Sequence, residues 1–287
     1  MEQQFRAVPD GQYTQTIYSL IRDQKYLEVI GILTNELQFS PRNRAALSLL
    51  AYCYFYIQDY ASAADMYDQL TKFYPDVIQY KLYHAQCLLK AGLYQEASKV
   101  AQQIDHPDYA DKILQLQVHI QYELEEMAHA KSLISQMPPD SSEAVVAQGC
   151  ILYKEEKYED AKTKFQEALN STGYQCDIAY NIALCYYKLK QLAPSLKHIA
   201  DIIEKGVREH PELGVGSNSE GVEVKSVGNT QTLKETALIE AFNLKAAIEY
   251  SMKNPAAARE ALMDMPPRNE DELDPVTLHN TALMNIE

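Results

Sequence analysis

The sequence lacks tryptophan, and it also lacks any long apolar run. The longest apolar stretch, LSLLAYCYFYI at 47–57, is far shorter than the ~20 residues that cross a bilayer. The opening residues, MEQQFRAVPDG, are polar and have no apolar region of the kind that signal peptides carry. We therefore expect a soluble, intracellular protein that makes no direct contact with a membrane.

Basic residues are also scarce. The chain has 26 Lys and Arg against 40 Asp and Glu, which gives a formal net charge of −14. Nucleic acids and anionic membrane surfaces both attract clustered Lys and Arg. The composition therefore predicts that nucleic acid is not a partner.

Motifs that carry chemistry are few. The five cysteines form no CxxC pair, which suits a reducing compartment, and His84 with Cys87 is a single pair where a zinc site needs two. The glycines of GVGSNSEG at 214–221 lack the GK[ST] of a phosphate loop. No triad order or paired carboxylates stand out, so we expect no catalytic residue, no cofactor, no metal and no enzymatic activity.

Tyrosine, in contrast, is abundant, with 21 copies against 6 phenylalanines, and it recurs with a period. Tyr26, Tyr60 and Tyr94 are each 34 residues apart, and Tyr158 is 34 residues before Leu192. A 34-residue period with a Tyr, a small residue three positions later and a large one four positions after that is typical of the tetratricopeptide repeat (TPR). Each such unit is a pair of antiparallel helices that buries its apolar face only against its neighbours.

The small residues fall where the two helices of a unit cross. Position 8 holds Ala51, Ala85, Gly149, Ala183 and Ala246, and position 20 holds Ala63, Ala97, Ala130, Ala161 and Ala258. Tyr60, Tyr94 and Tyr158 at position 17 fill the space towards the next unit. We expect the repeat packing to depend on Ala51, Tyr60, Ala63, Tyr94, Ala97, Gly149, Tyr158, Ala161 and Ala183.

The period predicts an all-α, right-handed TPR solenoid of about seven repeats. The units are 10–43, 44–77, 78–110, 111–141, 142–175, 176–209 and 239–272. We expect six repeats in residues 1–205, a partly disordered inter-repeat loop at 206–232, and a continued array at 233–287. That last part holds one repeat and an unpaired helix that begins after Asp274 as N-cap, so we expect the chain to be a portion of a longer array.

The first helix of each repeat is expected to line an inner, concave face. Positions 9 and 12 place aromatic rings there: Tyr18, Tyr52, Phe55, Tyr122, Tyr153, Tyr187 and Tyr250. Tyrosine is rigid and amphipathic, and aromatic grooves suit extended, proline-rich peptides. This row is the predicted partner-binding groove, and the alternative is that the rings only pack the solenoid.

Three long stretches resemble one family of TPR proteins: GQYTQTIYSLIRDQKYLEVIGILTNELQFSPRNRAALSLLAYCYFYIQDYASAADMYDQLTKFYPDVIQYKLYHAQCLLKAGLYQEA, AYNIALCYYKLKQLAPSLKHIADIIEKGVREHPELGVG and DPVTLHNTALMN. They are similar to tetratricopeptide repeat protein 30, a subunit of intraflagellar transport complex B. The resemblance implies a non-enzymatic scaffold that coils round a proline-rich segment of another core subunit and reaches a kinesin motor through the complex. It further implies a location in the cilium, at the basal body and axoneme, and roles in anterograde transport, cilium assembly and tubulin polyglutamylation.

A second interpretation stays open, in which the chain is a generic TPR adaptor or a co-chaperone that binds a different peptide. Chaperone-tail clamps place Asn at position 6, and only Asn181 does so here. Leu49, Tyr83 and Leu116 occupy the same position elsewhere, which disfavours this interpretation.

Overall fold

The structure is a computed structural model, and it describes residues 11–217 and 225–286. Those residues form helices and no strands. The α-helices are α1 Tyr13–Arg22, α2 Tyr26–Phe39, α3 Arg44–Tyr56, α4 Tyr60–Phe73, α5 Ile78–Lys90, α6 Tyr94–Ala101, α7 Ala110–Glu123, α8 Met127–Ile134, α9 Ser142–Lys154, α10 Tyr158–Thr172, α11 Cys176–Lys188, α12 Leu192–Glu209, α13 Gln231–Glu235, α14 Leu238–Ser251, α15 Pro255–Met263 and α16 Pro275–Ile286. Short 3₁₀ turns lie at Pro107–Tyr109, Pro211–Leu213 and Glu270–Glu272.

The helices follow the 34-residue period, and the predicted all-α repeat fold is confirmed. The first helix of each repeat is α1, α3, α5, α7, α9, α11 or α14, and each is followed by its second helix after a short turn. By their internal contacts the residues divide into two compact units, 1–137 and 138–287. That division differs from the predicted boundaries at 205 and 233, which remain a prediction about the array.

The turn inside each repeat has the same backbone conformation. Its central residue has a positive φ in every repeat: Gln24, Gln58, Gly92, Glu125, Glu156, Lys190 and Lys253. All seven stand at position 15 of the predicted units. A residue in the left-handed conformation lets the chain reverse within three residues. This conformation is unfavourable for residues other than glycine. The turns therefore confirm the register from the backbone alone.

The small residues lie at close helix crossings. Ala51, Ala63, Ala97, Ala161 and Ala183 are fully buried. At Gly149 an added Cβ would lie 2.7 Å from Cε1 of Phe165, which is itself buried. Helices α9 and α10 therefore approach too closely here for any residue larger than glycine.

The predicted start of the loop, at residue 206, is wrong. Helix α12 continues to Glu209, and Gly206 lies buried within it. An added Cβ at Gly206 would lie 2.8 Å from Leu238, so this glycine permits close packing and does not end the helix. The prediction failed because a glycine at a crossing and a glycine at a breakpoint look alike in a sequence.

The described residues in the rest of the segment, 210–217 and 225–232, pack against the last repeat. Leu213 and Leu233 are buried in one core cluster with Phe242. The backbone N–H of Gly216 donates to the Asp264 carbonyl at 2.9 Å, and that of Val227 donates to the Pro267 carbonyl at 2.9 Å. The predicted disorder concerns in part residues 218–224, which lie outside the described residues.

The final helix begins as predicted. Asp274 caps α16, because its Oδ1 accepts a hydrogen bond from the Thr277 N–H at 2.9 Å. Asn243 of α14 donates to Thr277 Oγ1 at 2.8 Å, and Asn280 donates to Asn243 Oδ1 at 2.9 Å. Buried polar side chains therefore fix how α16 packs on α14.

Candidate functional site

The predicted groove residues all lie on first helices of repeats, and the two units divide them. Tyr18, Tyr52, Phe55 and Tyr122 belong to the first unit, on α1, α3 and α7. Tyr153, Tyr187 and Tyr250 belong to the second unit, on α9, α11 and α14. Each unit therefore carries its own part of the row.

In the first unit, three rings form what we call the tyrosine cluster: Tyr26, Tyr52 and Tyr56. The centroids of Tyr52 and Tyr56 are 4.4 Å apart, and Tyr26 stacks on Tyr56 at 5.5 Å. Tyr52 and Tyr56 face the same way because they are four residues apart on α3. Tyr26 reaches them because it begins α2, next to the turn that precedes it. The cluster joins two consecutive repeats at one end of their helices.

The tyrosine cluster is partly open to solvent. Tyr52 is 37% exposed, and Tyr18, at the same position of the preceding repeat, is 58% exposed. Burial, a hydrogen bond with Tyr56 and the neighbouring Tyr26 raise the pKa of Tyr52 above its usual value. Its hydroxyl therefore stays neutral near pH 7 and can both donate and accept hydrogen bonds.

Two of the rings at position 12, Phe55 and Tyr153, are more deeply packed. Phe55 meets Tyr60 edge-on at 5.3 Å, and Tyr153 meets Tyr158 in the same way at 5.2 Å. Each contact joins the two helices of one repeat across its turn, because positions 12 and 17 flank that turn. Phe55 and Tyr153 therefore stabilise their own repeats, which supports the packing interpretation for these two rings.

The remaining predicted rings differ in exposure. Tyr122 and Tyr187 are half-buried, and Lys190 lies over the Tyr187 ring at 5.6 Å. Tyr250, at the end of α14, is 37% exposed. Tyr18, Tyr52 and Tyr250 are thus the residues of the row that present most ring surface to a ligand.

Sequence reasoning did not include Tyr26 and Tyr56 in the groove. Tyr56 stands at position 13, next to the predicted groove residue Phe55 at position 12, so an indication of its place was present in the sequence. Tyr26 stands at position 17, which was assigned to packing. The structure shows that Tyr26, a packing residue of the first repeat, contacts Tyr52 and Tyr56 of the second repeat and so extends their aromatic surface.

The second unit contains a cavity of about 510 Å³ that the sequence did not indicate. It is lined by the start of α11, the end of α12 and α13. Lys205 lies 3.2 Å above the Tyr174 ring, and the Cys176 thiol donates to the Glu235 carbonyl at 2.7 Å. Basic and acidic side chains are mixed around it, so its charge selects neither anions nor cations.

The cysteines are free thiols in packed surroundings. Burial raises the pKa of Cys53, Cys87 and Cys185 to about 12, and that of Cys150 to about 11. Thiols with such values are poor nucleophiles and poor metal ligands at neutral pH. In the part of the chain that the structure describes, no three His, Cys, Asp or Glu side chains converge on a possible metal position. No helix there is both long and apolar enough to cross a bilayer.

Paired helices of 34-residue period, with small residues at each crossing, define a tetratricopeptide repeat protein. Two solved structures share this fold. A TPR protein from Parabacteroides merdae has a TM-score of 0.67 at 11% identity, covering 94% of this chain and 96% of that chain. The Cut9–Hcn1 structure has a TM-score of 0.56 at 12% identity, covering 96% of this chain and 49% of that chain. At these identities the likeness concerns the fold alone.

The sequence comparisons go further. The model of the family described as Intraflagellar transport protein 56 matches residues 47–232, and the chain belongs to this family of intraflagellar transport proteins. It is 60% identical to intraflagellar transport protein 70A of Xenopus tropicalis over 98% of this chain, and 54% identical to intraflagellar transport protein 70B of Rattus norvegicus over 98%. These relatives confirm the predicted resemblance to the tetratricopeptide repeat protein 30 family. The chain spans 43% and 44% of their lengths.

Proposed function

We propose that this chain is a scaffold portion of an intraflagellar transport complex, which holds an extended, proline-rich segment of another complex subunit against the tyrosine cluster. The observation that carries the proposal is the exposed Tyr52 ring on α3, the first helix of the second repeat. This ring contacts Tyr56 of the same helix and Tyr26 of α2. Proline rings pack on flat aromatic surfaces, and neutral phenol hydroxyls bind the carbonyls of an extended peptide. Membership of the intraflagellar transport family supports the same role.

The wider role follows from that assignment. As a non-enzymatic subunit the chain would act in the cilium, at the basal body and axoneme, in anterograde transport and cilium assembly. A kinesin motor would be reached through the complex and not by this chain directly. Tubulin polyglutamylation would depend on the chain indirectly, through delivery of the modifying enzyme.

The co-chaperone or generic adaptor stays the second candidate, but the position-6 residues disfavour it. Leu116 is buried, and Leu49 and Tyr83 are half-buried among apolar neighbours. Leu49 and Leu116 have no hydrogen-bond donor for a terminal carboxylate, and Tyr83 offers a phenol hydroxyl in place of the asparagine amide.

The test is co-expression of the chain with a tagged proline-rich segment of a core subunit, followed by pull-down at moderate salt. We expect the Tyr18→Ala/Tyr52→Ala double variant to lose the partner, because these are the two exposed rings of the predicted row in the first unit. Leu27→Ala is the matched control, since this exposed side chain lies on the second helix of the first repeat. Equal retention by parent and double variant, with equal helical spectra, would refute the assignment of the ligand to these rings.

Tyr153→Ala separates binding from packing. Because Tyr153 packs on Tyr158, we expect this variant to lower the thermal midpoint before it affects capture of the partner. A loss of the partner at an unchanged midpoint would place the ligand on the second unit.

A further inference from the structure

Two arginines at the turn between α2 and α3 are held by aromatic rings. The guanidinium carbon of Arg42 lies 5.2 Å from the centroid of Phe73, and that of Arg44 lies 5.4 Å from Tyr80. Arg44 Nε also donates to Tyr80 Oη at 2.7 Å, and Tyr74 Oη donates to the Arg42 carbonyl at 2.7 Å. The turn and both side chains are therefore held by the following repeat.

Neither guanidinium is paired with a carboxylate in the described part of the chain. Two acids of the flanking helices have other partners: Asp68 of α4 pairs with Lys72, and Glu36 of α2 accepts from Asn43. The net charge of the chain is −14, so these two neighbouring cations give their turn the opposite sign to the chain as a whole. A guanidinium that stacks on a ring keeps N–H groups at its edge, where a carboxylate can accept two of them.

Exposed apolar rings adjoin these cations. Phe39, three residues before Arg42, is 79% exposed, and Phe73 beneath Arg42 is 37% exposed. Phe39 and Phe73 stand one 34-residue period apart, at the ends of α2 and α4. We call Phe39, Arg42, Arg44, Phe73 and Tyr74 the arginine–phenylalanine patch.

The patch is distinct from the tyrosine cluster. Arg44 begins α3, whereas Tyr52 and Tyr56 lie in its last five residues. At 1.5 Å per residue Arg44 lies about 12 Å along the helix axis from Tyr52 and about 18 Å from Tyr56. A ligand at one end therefore need not touch the other.

We propose that the arginine–phenylalanine patch docks an acidic peptide segment that carries a bulky apolar side chain. Carboxylates of the segment bind the edges of the two guanidinium groups, and its apolar side chain covers Phe39. Charge complementarity selects this occupant, because the patch presents two guanidinium groups on a chain whose net charge is −14.

The experiment is fluorescence anisotropy with the whole chain and a fluorescein-labelled peptide in which glutamates alternate with leucines around a central phenylalanine. It is run at low salt, about 50 mM, and repeated at higher salt, where binding weakens if charges carry it. We expect Arg42→Gln/Arg44→Gln to weaken binding about tenfold, and Phe39→Ala to weaken it several-fold. Arg22→Gln and Leu27→Ala, both exposed in the first repeat, are the matched controls and should bind as the parent does.

The single variant Arg42→Gln controls for loss of the fold, because Arg42 contacts the partly exposed Phe73 and not the buried Tyr80. Its helical spectrum should match the parent while its affinity falls. The proposal is overturned if the acidic peptide does not bind, if the glutamine version of the peptide binds equally well, or if the arginine variants bind as the parent does. Equal binding of a single-stranded oligonucleotide of the same charge would also overturn it, because the patch would then be an unselective anion surface.

Discussion

Replacing Gly149 with alanine should destabilise the second unit, although alanine favours helix formation. The alanine methyl group would lie 2.7, 2.9 and 3.0 Å from three atoms of the Phe165 ring. Those distances are well inside van der Waals contact, and Phe165 is only 1% exposed, packed among Val145, Ile178 and Ile182. The ring has no open space to move into, so helix α10 must shift away from α9.

Two opposing effects set the magnitude. Glycine in a helix interior costs about 1 kcal/mol relative to alanine, so the substitution gains that amount. Overpacking a well-filled core costs typically ~1–3 kcal/mol. Because the ring is enclosed, we expect the upper part of that range, and a net loss of about 1–2 kcal/mol. In a unit of this size each kcal/mol of destabilisation lowers the thermal midpoint by roughly 2–4 °C.

A double-mutant cycle with Phe165→Leu isolates the crossing. Leucine removes the ring atoms that clash, so in that background Gly149→Ala should be neutral or stabilising, with a coupling energy of about 2 kcal/mol. Urea unfolding followed by circular dichroism measures all four variants. A stabilising Gly149→Ala in the parent, or a coupling energy within ~0.5 kcal/mol of zero, would refute the close-crossing argument.

Three further predictions test other features. Glu156→Gly should raise the free energy of unfolding by about 0.5–1 kcal/mol, because φ is 62° at this exposed turn residue and glycine adopts that conformation without strain. Urea titrations measure the change, and a fall in the free energy of unfolding would contradict this reasoning. Thr277→Val should lower it by ~1–3 kcal/mol, because the buried Asn243 amide loses its acceptor, and an unchanged urea midpoint would mean that the bond contributes nothing. Burial raises the pKa of Tyr67 and Tyr180 above the ordinary 10. Above pH 10 the unfolded chain therefore loses these protons first, and stability should fall as the pH rises from 9 to 11; a urea midpoint constant over that interval would refute the raised pKa.

The repeat register could be predicted because the period itself has a mechanical cause. Close crossings require small residues, so Gly149 and Ala161 had to recur at fixed offsets, and the sequence shows them directly. The left-handed turn at Glu156 was not predicted, because its side chain carries no signal for that conformation; in the third repeat Gly92 does. Gly206 was misread because its role depends on Leu238, thirty-two residues away.

The candidate site was only partly predictable, for a related reason. Tyr52 and Tyr153 look equivalent in a row of aromatic residues, yet Tyr153 packs on its own repeat and Tyr52 extends a cluster between repeats. The arginine–phenylalanine patch was missed altogether, because Arg42 acquires its partner only when the next repeat brings Phe73 beneath it. Contacts within a repeat can be inferred from one period, whereas contacts between repeats depend on how successive turns meet.

Helix α3 therefore presents different chemistry at its two ends. Its start carries cations stacked on rings, and its end carries neutral, hydrogen-bonding phenols. Because about 12 Å of helix separates Arg44 from Tyr52, substitutions at the two sites should act independently, and their free-energy effects on each ligand should add. A Tyr52→Ala variant that still binds the acidic peptide, and an Arg42→Gln variant that still captures the proline-rich segment, would together mean that one repeat can hold two partner segments at once. If either substitution weakened both ligands, the two surfaces would be parts of one continuous site.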